Sequence, residues 1–251
     1  MTIDLNADLG EGFGRWTAGD DLGLLDLVTS ANVACGFHAG DPSIMRRVCG
    51  HAAVRNVVIG AHVGYRDLVG FGRRDIDVSA SDVGNETVYQ IAALDGLARA
   101  EGTRVRYLKP HGALYHRSAH ADEIAAALVQ AVCDYNPDLE ILGPPNSALA
   151  RHSAAEGLRF RAEGFADRGY NPDGSLAERS QPGAVTSVPE DAAAQALSIA
   201  VHRTVRTVTG SLINLDVDSL CVHGDSAHAL ETARQVRATL ADVGVVVEAF
   251  V

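Results

Sequence analysis

The sequence is almost devoid of lysine. Lys109 is the single lysine among 251 residues, and arginine supplies the other twenty basic side chains. Either residue type serves as a solvated positive charge. A guanidinium, however, is planar, bulky and permanently charged, whereas an ammonium is compact and can rotate its three N–H donors. The retention of lysine at one position therefore predicts a site that requires an ammonium group.

Other scarcities exclude whole classes of protein. The formal net charge of −11 argues against DNA or RNA as a partner, because a phosphate backbone requires a basic face. Only four cysteines are present and none forms a CxxC pair, so neither a zinc ribbon nor a thioredoxin-like site is expected. The first residues are acidic and lack the apolar segment of a signal peptide, and no apolar run is long enough for a membrane span. We therefore expect a cytoplasmic protein with reduced thiols.

Short apolar runs alternate with longer amphipathic stretches along nearly the whole chain. The pattern predicts strands at residues 3–6, 28–34, 57–61, 105–108, 140–143, 159–162 and 219–222, with further short strands at 185–187 and 245–249. It predicts helices at residues 22–26, 42–55, 82–100, 121–135, 146–156, 190–208 and 226–243. Such alternation produces parallel strands with crossover helices, so we predict a single domain, residues 1–251, folded as a TIM-like (β/α) barrel of about seven parallel strands. The alternative is an open doubly wound sheet, but no GxGxxG follows the first strand.

Polar side chains, most of them close to a glycine, stand at the ends of nearly all the predicted strands. The candidates in chain order are Asp8, His38, His62, Lys109, His111, Glu163, Asp167, His223 and Asp225. Asn6 joins them because side chains alternate along a strand, which puts it on the same face as Asp8. The C-terminal ends of barrel strands form the active-site face, so we expect these groups to meet at one pocket. Burying many titratable groups together is costly, and a functional pocket explains their convergence better than stability does.

Two loops add further candidates. Residues 164–183 are rich in glycine and proline, and long loops in compact domains are usually functional. Arg73 and Arg74 closely follow the third strand, where a guanidinium is able to bind a carboxylate or phosphate through two parallel hydrogen bonds. A solvated surface pair is the alternative for these two arginines.

Six segments of the chain are long and distinctive. They read DLNADLGEGFGRW, TSANVACGFHAGDP, IGAHVGYRDLVGFGRR, KPHGALYH, EGFADRGY and VHGD, and they extend from Asp4 to Asp225. Together they resemble the LamB/YcsF family, which comprises the A subunit of prokaryotic ATP-dependent 5-oxoprolinase. The resemblance implies a glycoside hydrolase/deacetylase-like barrel of about seven strands. It also implies ATP-driven cleavage of the lactam of 5-oxo-L-proline (pyroglutamate) to L-glutamate, together with partner subunits B and C.

The implied reaction assigns roles to the candidate residues. A lactam is a stable amide, and phosphorylation of its oxygen makes an activated species that water is able to open. Catalytic roles then fall on Asp8, His38, His62, Lys109 and His111, and substrate-binding roles fall on Asn6, Arg73, Arg74, Glu163, His223 and Asp225. Mg²⁺ prefers carboxylate and phosphate oxygens, so Asp8 and Glu11 are its predicted ligands. No GxxxxGK[ST] motif is present, and the predicted ATP site is therefore not a P-loop.

Two other functions stay open at this point. Asp8, His38 and His62 are chemically sufficient ligands for Zn²⁺, which would make the chain a metal-dependent hydrolase or deacetylase that cleaves an amide without ATP. A third interpretation is a chain that only binds the lactam or supports its partner subunits. Metal analysis and the ATP dependence of glutamate release distinguish the three.

Overall fold

The computed structural model describes residues 1–224 and 228–251 and confirms the predicted (β/α) barrel. The strands in the described ranges are β1 (Thr2–Leu9), β2 (Ser30–Ala34), β3 (Val58–Val63), β4 (Val105–Pro110), β5 (Glu140–Gly143), β6 (Phe160–Phe165), β7 (Thr204–Arg206), β8 (Leu212–Asn214), β9 (Ser219–Val222) and β10 (Val246–Val247). Strands β1 to β6 and β9 lie side by side and all run parallel, and β9 pairs with both β6 and β1. This last pairing closes a seven-stranded barrel. Strand β10 pairs with the start of β1.

Helices follow most of the barrel strands and cover the outside of the sheet. Those in the described ranges are α1 (Asp21–Leu25), α2 (Pro42–Arg55), α3 (Ala80–Ala100), α4 (Gly112–His120), α5 (Asp122–Tyr135), α6 (Ala148–Ala155), α7 (Pro189–Leu197) and α8 (Ala229–Asp242). The start of α2 shows how the sequence sets such a boundary. The Asp41 carboxylate accepts hydrogen bonds from the backbone N–H groups of Ser43 and Ile44, and proline occupies the first helical position, where no N–H is needed.

Two predicted elements were wrong in extent or type, and one helix was missed. The helix predicted at residues 190–208 ends at Leu197 and continues as one π-helical turn, Ser198–His202, after which the chain reverses through the left-handed backbone of Arg203 into the β7–β8 hairpin. The strand predicted at 185–187 is reduced to one isolated bridge between Val185 and Arg168. Helix α4 was missed, because it begins directly after β4 without a capping side chain at His111. The helix predicted from residue 226 begins, within the described residues, at Ala229.

The barrel interior contains polar side chains where branched apolar residues are usual. At its lower end, the Asp4 carboxylate accepts hydrogen bonds from the hydroxyls of Thr29, Ser30 and Ser219. Burial nevertheless raises the pKa of Asp4 to about 6. We call the buried set Asp4, Asn6, Ser30, Asn32, Tyr107 and Ser219 the lower interior.

Hydrogen bonds and close packing continue through the lower interior. The Asn32 amide nitrogen lies 2.6 Å from Asn6 Oδ1, and the Tyr107 hydroxyl donates to Asn32 Oδ1 at 2.6 Å. A Cβ at Gly60 would lie 2.1 Å from the Tyr107 ring, so only glycine leaves room for that ring inside the barrel. The main apolar core lies between the strands and the helices, where Leu5 and Leu94 are fully buried. Within the described ranges, no helix combines the length and apolar character that a membrane crossing requires.

Candidate active site

A cavity of about 1060 Å³ opens at the C-terminal ends of the barrel strands. Each of its central side chains stands at or just beyond a strand end: Asp8 on β1, His62 on β3, Lys109 on β4 and His223 after β9. The parallel barrel brings these residues together from distant parts of the chain, and this convergence is the geometry that the strand-end pattern predicts. Their catalytic roles stay predictions.

An ion-paired triad lies at the floor of the cavity, which Asp8 and Lys109 line directly. Lys109 Nζ lies 2.9 Å from Asp8 Oδ1 and 2.7 Å from Glu163 Oε1, and all three residues are buried. Burial by itself lowers the pKa of Lys109, yet the nearby carboxylates of Asp8 and Glu163 raise it well above its ordinary value. Burial by itself raises the pKa of Asp8, but His62 and Lys109 outweigh it and hold this pKa well below its usual range. Lys109 and Asp8 are therefore charged at neutral pH.

Lys109 has little donor capacity left for a substrate. An ammonium has three N–H donors, and besides the two carboxylates, Nζ lies 3.3 Å from Cys221 Sγ and 3.4 Å from Asn6 Oδ1. Lys109 therefore acts chiefly by holding Asp8 and Glu163 in place and by supplying positive charge to the floor. A guanidinium is too large for this position, which is 1% exposed, and this explains why arginine does not occupy it.

Beside the triad lies a group that we call the rim cluster: Glu11, His38, His62 and His111. Each member offers one oxygen or nitrogen atom, and these atoms all lie within 4.8 Å of one another. Glu11 Oε1 is 3.3 Å from His38 Nε2 and 3.5 Å from His111 Nδ1. His111 Nδ1 is in turn 3.0 Å from His62 Nε2, and the His38 and His111 rings stack with centroids 3.7 Å apart.

Two histidines of the rim cluster, His38 and His111, favour their neutral forms. Burial lowers the pKa of His38 well below its ordinary value, and His62 lowers it further. Burial also lowers the pKa of His111, with further contributions from His38 and His62. Neutral imidazole is the form that binds metals. The rim cluster is thus the part of the described chain where a metal is most readily held.

His223 forms a dyad with Asp167 on another side of the cavity. Its Nδ1 lies 2.9 Å from Asp167 Oδ1, and its backbone N–H donates to Asp167 Oδ2 at 3.1 Å. Burial by itself raises the pKa of Asp167, but His223 outweighs it and the pKa is lowered. A carboxylate that fixes one ring nitrogen leaves the other available for proton transfer.

Arginines line another part of the cavity, which we call the arginine wall. Arg73, Arg168 and Arg179 all line the cavity. Arg168 is buried and donates hydrogen bonds to the carbonyls of Ala184 and Ala177. Burial, followed by repulsion from Arg179, lowers the pKa of Arg168 to about 10, so it stays charged at neutral pH. Several cations so close together in an acidic protein are typical of an anion-binding surface.

Some predicted site residues do not face the cavity. Arg74 turns away from it and pairs with Asp67, the Nε–Oδ1 distance being 3.0 Å. Asn6 is fully buried in the lower interior, where it donates to Ser219 and accepts from Asn32. Asp225 lies outside the described residues.

The two predicted Mg²⁺ ligands have different neighbours. Asp8 Oδ1 accepts hydrogen bonds from Lys109 and Asn32, whereas Glu11 stands among imidazoles in the rim cluster. Mg²⁺ prefers oxygen ligands, and a site with up to three nitrogen donors does not fit that preference. We therefore derive no reaction step through Mg²⁺ at this position.

Several cavity residues were given no role from the sequence. They are Tyr115, His116, Arg168 and Arg179. Arg168 and Arg179 lie in the long loop that the sequence marked as functional, but its composition did not indicate which side chains turn inward. The pKa of His116 falls to about 4 because of burial and the nearby Arg168 and Arg179, and His116 is therefore neutral in the basic wall.

The fold and the site together define a class of protein: a closed (β/α)₇ barrel whose polar interior leads to a pocket of histidines and carboxylates. A family 4 carbohydrate esterase from Streptomyces lividans shares this fold with a TM-score of 0.52 at 10% identity, covering 100% of this chain and 93% of the esterase. At that identity the likeness shows the fold alone.

Closer similarities define the family. The model of the LamB/YcsF family matches residues 3–251, and the chain belongs to this family. A protein from Nocardia farcinica that is named as the A subunit of 5-oxoprolinase is 57% identical over the full length of both chains. The structure of a lactam utilization protein from Thermus thermophilus is 40% identical with a TM-score of 0.94, again over the full length of both chains.

Proposed function

We propose that the chain is the A subunit of an ATP-dependent 5-oxoprolinase that works with subunits B and C. The observation that carries the proposal is the cavity itself, which combines an arginine wall with a floor of carboxylates, lysine and histidine. The names of two full-length relatives, one for the A subunit of 5-oxoprolinase and one for lactam utilization, support a five-membered lactam as substrate. The cavity is much larger than such a lactam and has room for a nucleotide beside it.

The anionic parts of both substrates suit the arginine wall. The lactam has one carboxylate and ATP carries three phosphate groups, and guanidinium groups bind both kinds of anion through pairs of hydrogen bonds. Arg73 and Arg168 reach the cavity from different loops, after β3 and β6 respectively. We assign Arg73 to the lactam carboxylate and Arg168, with Arg179, to the phosphates.

The reaction proceeds by activation of the lactam oxygen. That oxygen attacks the γ-phosphorus, the bond to ADP breaks, and an O-phosphorylated lactam forms. One water adds to the activated carbon and the ring C–N bond breaks, with a proton passing to the nitrogen. The resulting acyl phosphate reacts with a second water, which releases L-glutamate and inorganic phosphate. Positive charge at the wall offsets the charge that develops on the transferred phosphoryl group.

The His223–Asp167 dyad is the proposed proton carrier in the ring-opening step. Asp167 fixes the Nδ1 side of the ring, and the remaining nitrogen accepts a proton from the attacking water. His38 and His111 suit this role less well, because burial lowers their pKa values and so makes them weak bases, and because the nitrogens of the rim cluster converge on one another. Lys109 serves as a positioning residue that keeps Asp8 and Glu163 at the floor.

One assay tests the proposal against its competitors. Glutamate release from 5-oxo-L-proline is measured with the full chain, with and without ATP, and with and without subunits B and C. We expect release only when ATP and all three subunits are present. Release by this chain without ATP would instead establish the metal-dependent hydrolase that the rim cluster favours. Unchanged release when the chain carries His223→Gln and Arg168→Gln together would assign the chemistry to its partners.

A further inference from the structure

Ring orientation in the rim cluster determines which nitrogens carry hydrogen. His62 Nδ1 lies 3.2 Å from the Lys109 carbonyl oxygen, and His111 Nε2 lies 2.8 Å from the Phe71 carbonyl oxygen. A carbonyl oxygen only accepts hydrogen bonds, so each of these nitrogens is the N–H donor of its ring. In neutral rings, His62 Nε2 and His111 Nδ1 therefore carry no hydrogen.

These two bare nitrogens nevertheless face each other. They lie 3.0 Å apart, a distance suited to a hydrogen bond, yet neither has a hydrogen to donate while the carbonyl contacts persist. His62 Nε2 also lies 3.4 Å from Asp8 Oδ1, an oxygen that already accepts hydrogen bonds from Lys109 and Asn32. A metal cation satisfies both lone pairs and leaves both carbonyl contacts intact. Metal-binding histidines commonly have this arrangement, with one nitrogen on the metal and the other donating to a backbone carbonyl.

The side chains of Glu11 and His38 lie beside these two nitrogens. The Glu11 side chain brings a negative charge within 3.5 Å of His111 Nδ1. His38 is 1% exposed, and among the described residues neither of its ring nitrogens makes a hydrogen bond, although Nε2 lies 3.3 Å from Glu11 Oε1. An imidazole buried in this way is costly unless a ligand satisfies it.

We propose that Glu11, His38, His62 and His111 form a binding site for one divalent first-row transition metal, with Zn²⁺ as the reference ion. Three imidazoles and one carboxylate are the donors that zinc and its neighbours prefer, and Mg²⁺ does not favour nitrogen. Asp8 is not a ligand in this assignment, because Lys109 and Asn32 already bind its Oδ1. The site is independent of the proposed function, since it forms in the absence of lactam and ATP.

Metal titration of the full chain tests the site directly. The protein is freed of metal with a chelator and titrated with Co²⁺, whose visible absorption reports nitrogen and oxygen coordination, and Zn²⁺ is then added as a competitor. We expect one equivalent of Co²⁺ to bind, Zn²⁺ to displace it, and Mg²⁺ to leave the spectrum unchanged. His62→Gln and Glu11→Gln should each weaken Zn²⁺ binding by about 100-fold or more, because even changes to the outer-shell partners of metal ligands cost about 10–100-fold. His223→Gln is the matched control, since the Nδ1 of His223 is committed to Asp167, and it should bind as the unaltered chain does.

X-ray absorption of the zinc-loaded, unaltered chain provides a readout that does not depend on the folding of variants. Scattering from at least two imidazole rings supports the site. A coordination shell of oxygen alone, the absence of a stoichiometric equivalent, or equal affinity in the cluster variants and the control would overturn it. Neither experiment includes ATP or lactam, so failure here leaves the glutamate-release assay as a separate test.

Discussion

In the lower interior of the barrel, buried donors and acceptors are matched. Three hydroxyls donate to Asp4, and the amide of Asn32 and the hydroxyl of Tyr107 continue the network. In the rim cluster, at the upper end of the same interior, two ring nitrogens without hydrogen face each other and His38 makes no hydrogen bond in the described chain. Both regions are buried and polar, and they differ in whether their groups satisfy one another.

This difference distinguishes buried polar groups that stabilise the fold from buried polar groups that bind a ligand. A matched buried network fixes one arrangement of the strands and needs nothing from outside. An unmatched cluster raises the energy of the empty site, and that cost is recovered when a ligand arrives. The ion-paired triad around Lys109 lies between the two regions. Changes at individual residues test which of these buried groups stabilise the fold and which serve the site.

The largest effect is expected at the triad. Lys109→Met leaves Asp8 and Glu163 buried without a cation, so the free energy of unfolding should fall by about 3–5 kcal/mol, and glutamate release should be lost. Denaturant unfolding followed by circular dichroism measures the change. The double variant Lys109→Met/Glu163→Gln removes one of the stranded charges and should recover part of the stability. An unchanged stability in the single variant would contradict the ion-paired floor.

Asp4 gives the lower interior a pH dependence. Its pKa is about 6 in the folded protein against 3.8 as the ordinary value, so the folded state holds the proton more tightly. The stabilising contribution is complete below about pH 4 and is lost as the pH rises through about 6, a total of roughly 3 kcal/mol at about 1.4 kcal/mol per pKa unit. Unfolding at pH values between about 4 and 8 should therefore show a loss for the unaltered chain that Asp4→Asn lacks. Parallel curves for the two proteins would show that Asp4 does not titrate in this way.

Close packing inside the barrel predicts an intermediate effect. In Gly60→Ala the new methyl group meets the Tyr107 ring, and overpacking of this kind costs about 1–3 kcal/mol. Gly96→Ala is the control, because its Cβ meets nothing within 4 Å on helix α3 and should stabilise the helix by about 0.5–1 kcal/mol. Thermal unfolding compares the two variants. Equal melting temperatures would refute the role assigned to Gly60.

The smallest predicted effect concerns the two neighbouring arginines. Arg73→Gln should lower kcat/KM for 5-oxo-L-proline by about tenfold, the lower end expected for a hydrogen bond to a charged group. Arg74→Gln should have a smaller effect, because Arg74 pairs with Asp67 away from the cavity. Steady-state kinetics with ATP and all three subunits makes the comparison. A larger effect for Arg74→Gln than for Arg73→Gln would mean that the loop turns Arg74 into the cavity and Arg73 out of it when substrate binds.

The sequence predicted the parts of the molecule that follow from periodicity. Strand–helix alternation is enough to predict the barrel, and the alternation of side chains along β1 put Asp4, Asn6 and Asp8 on one face. Periodicity does not show how deep inside the barrel a side chain lies. Asn6 and Asp8 share a face, but Asn6 lies in the closed network below the cavity and Asp8 at its floor.

Other features depend on contacts that local sequence does not encode. The β7–β8 hairpin consists of two three-residue strands, too short to show a period. The split between Arg73 and Arg74 depends on the position of Asp67, and the inward turn of Arg168 depends on two distant carbonyls. The facing nitrogens of the rim cluster depend on backbone carbonyls, which no side-chain pattern records.

In the rim cluster, His62 Nε2 and His111 Nδ1 face each other without a hydrogen between them until a cation binds. Long-range ¹H–¹⁵N NMR of the zinc-loaded, ¹⁵N-labelled chain reads the protonation of each ring nitrogen. We expect a neutral His62 with its hydrogen on Nδ1 and a neutral His111 with its hydrogen on Nε2. Imidazolium signals from either ring, or hydrogen on His62 Nε2 or His111 Nδ1, would contradict this expectation.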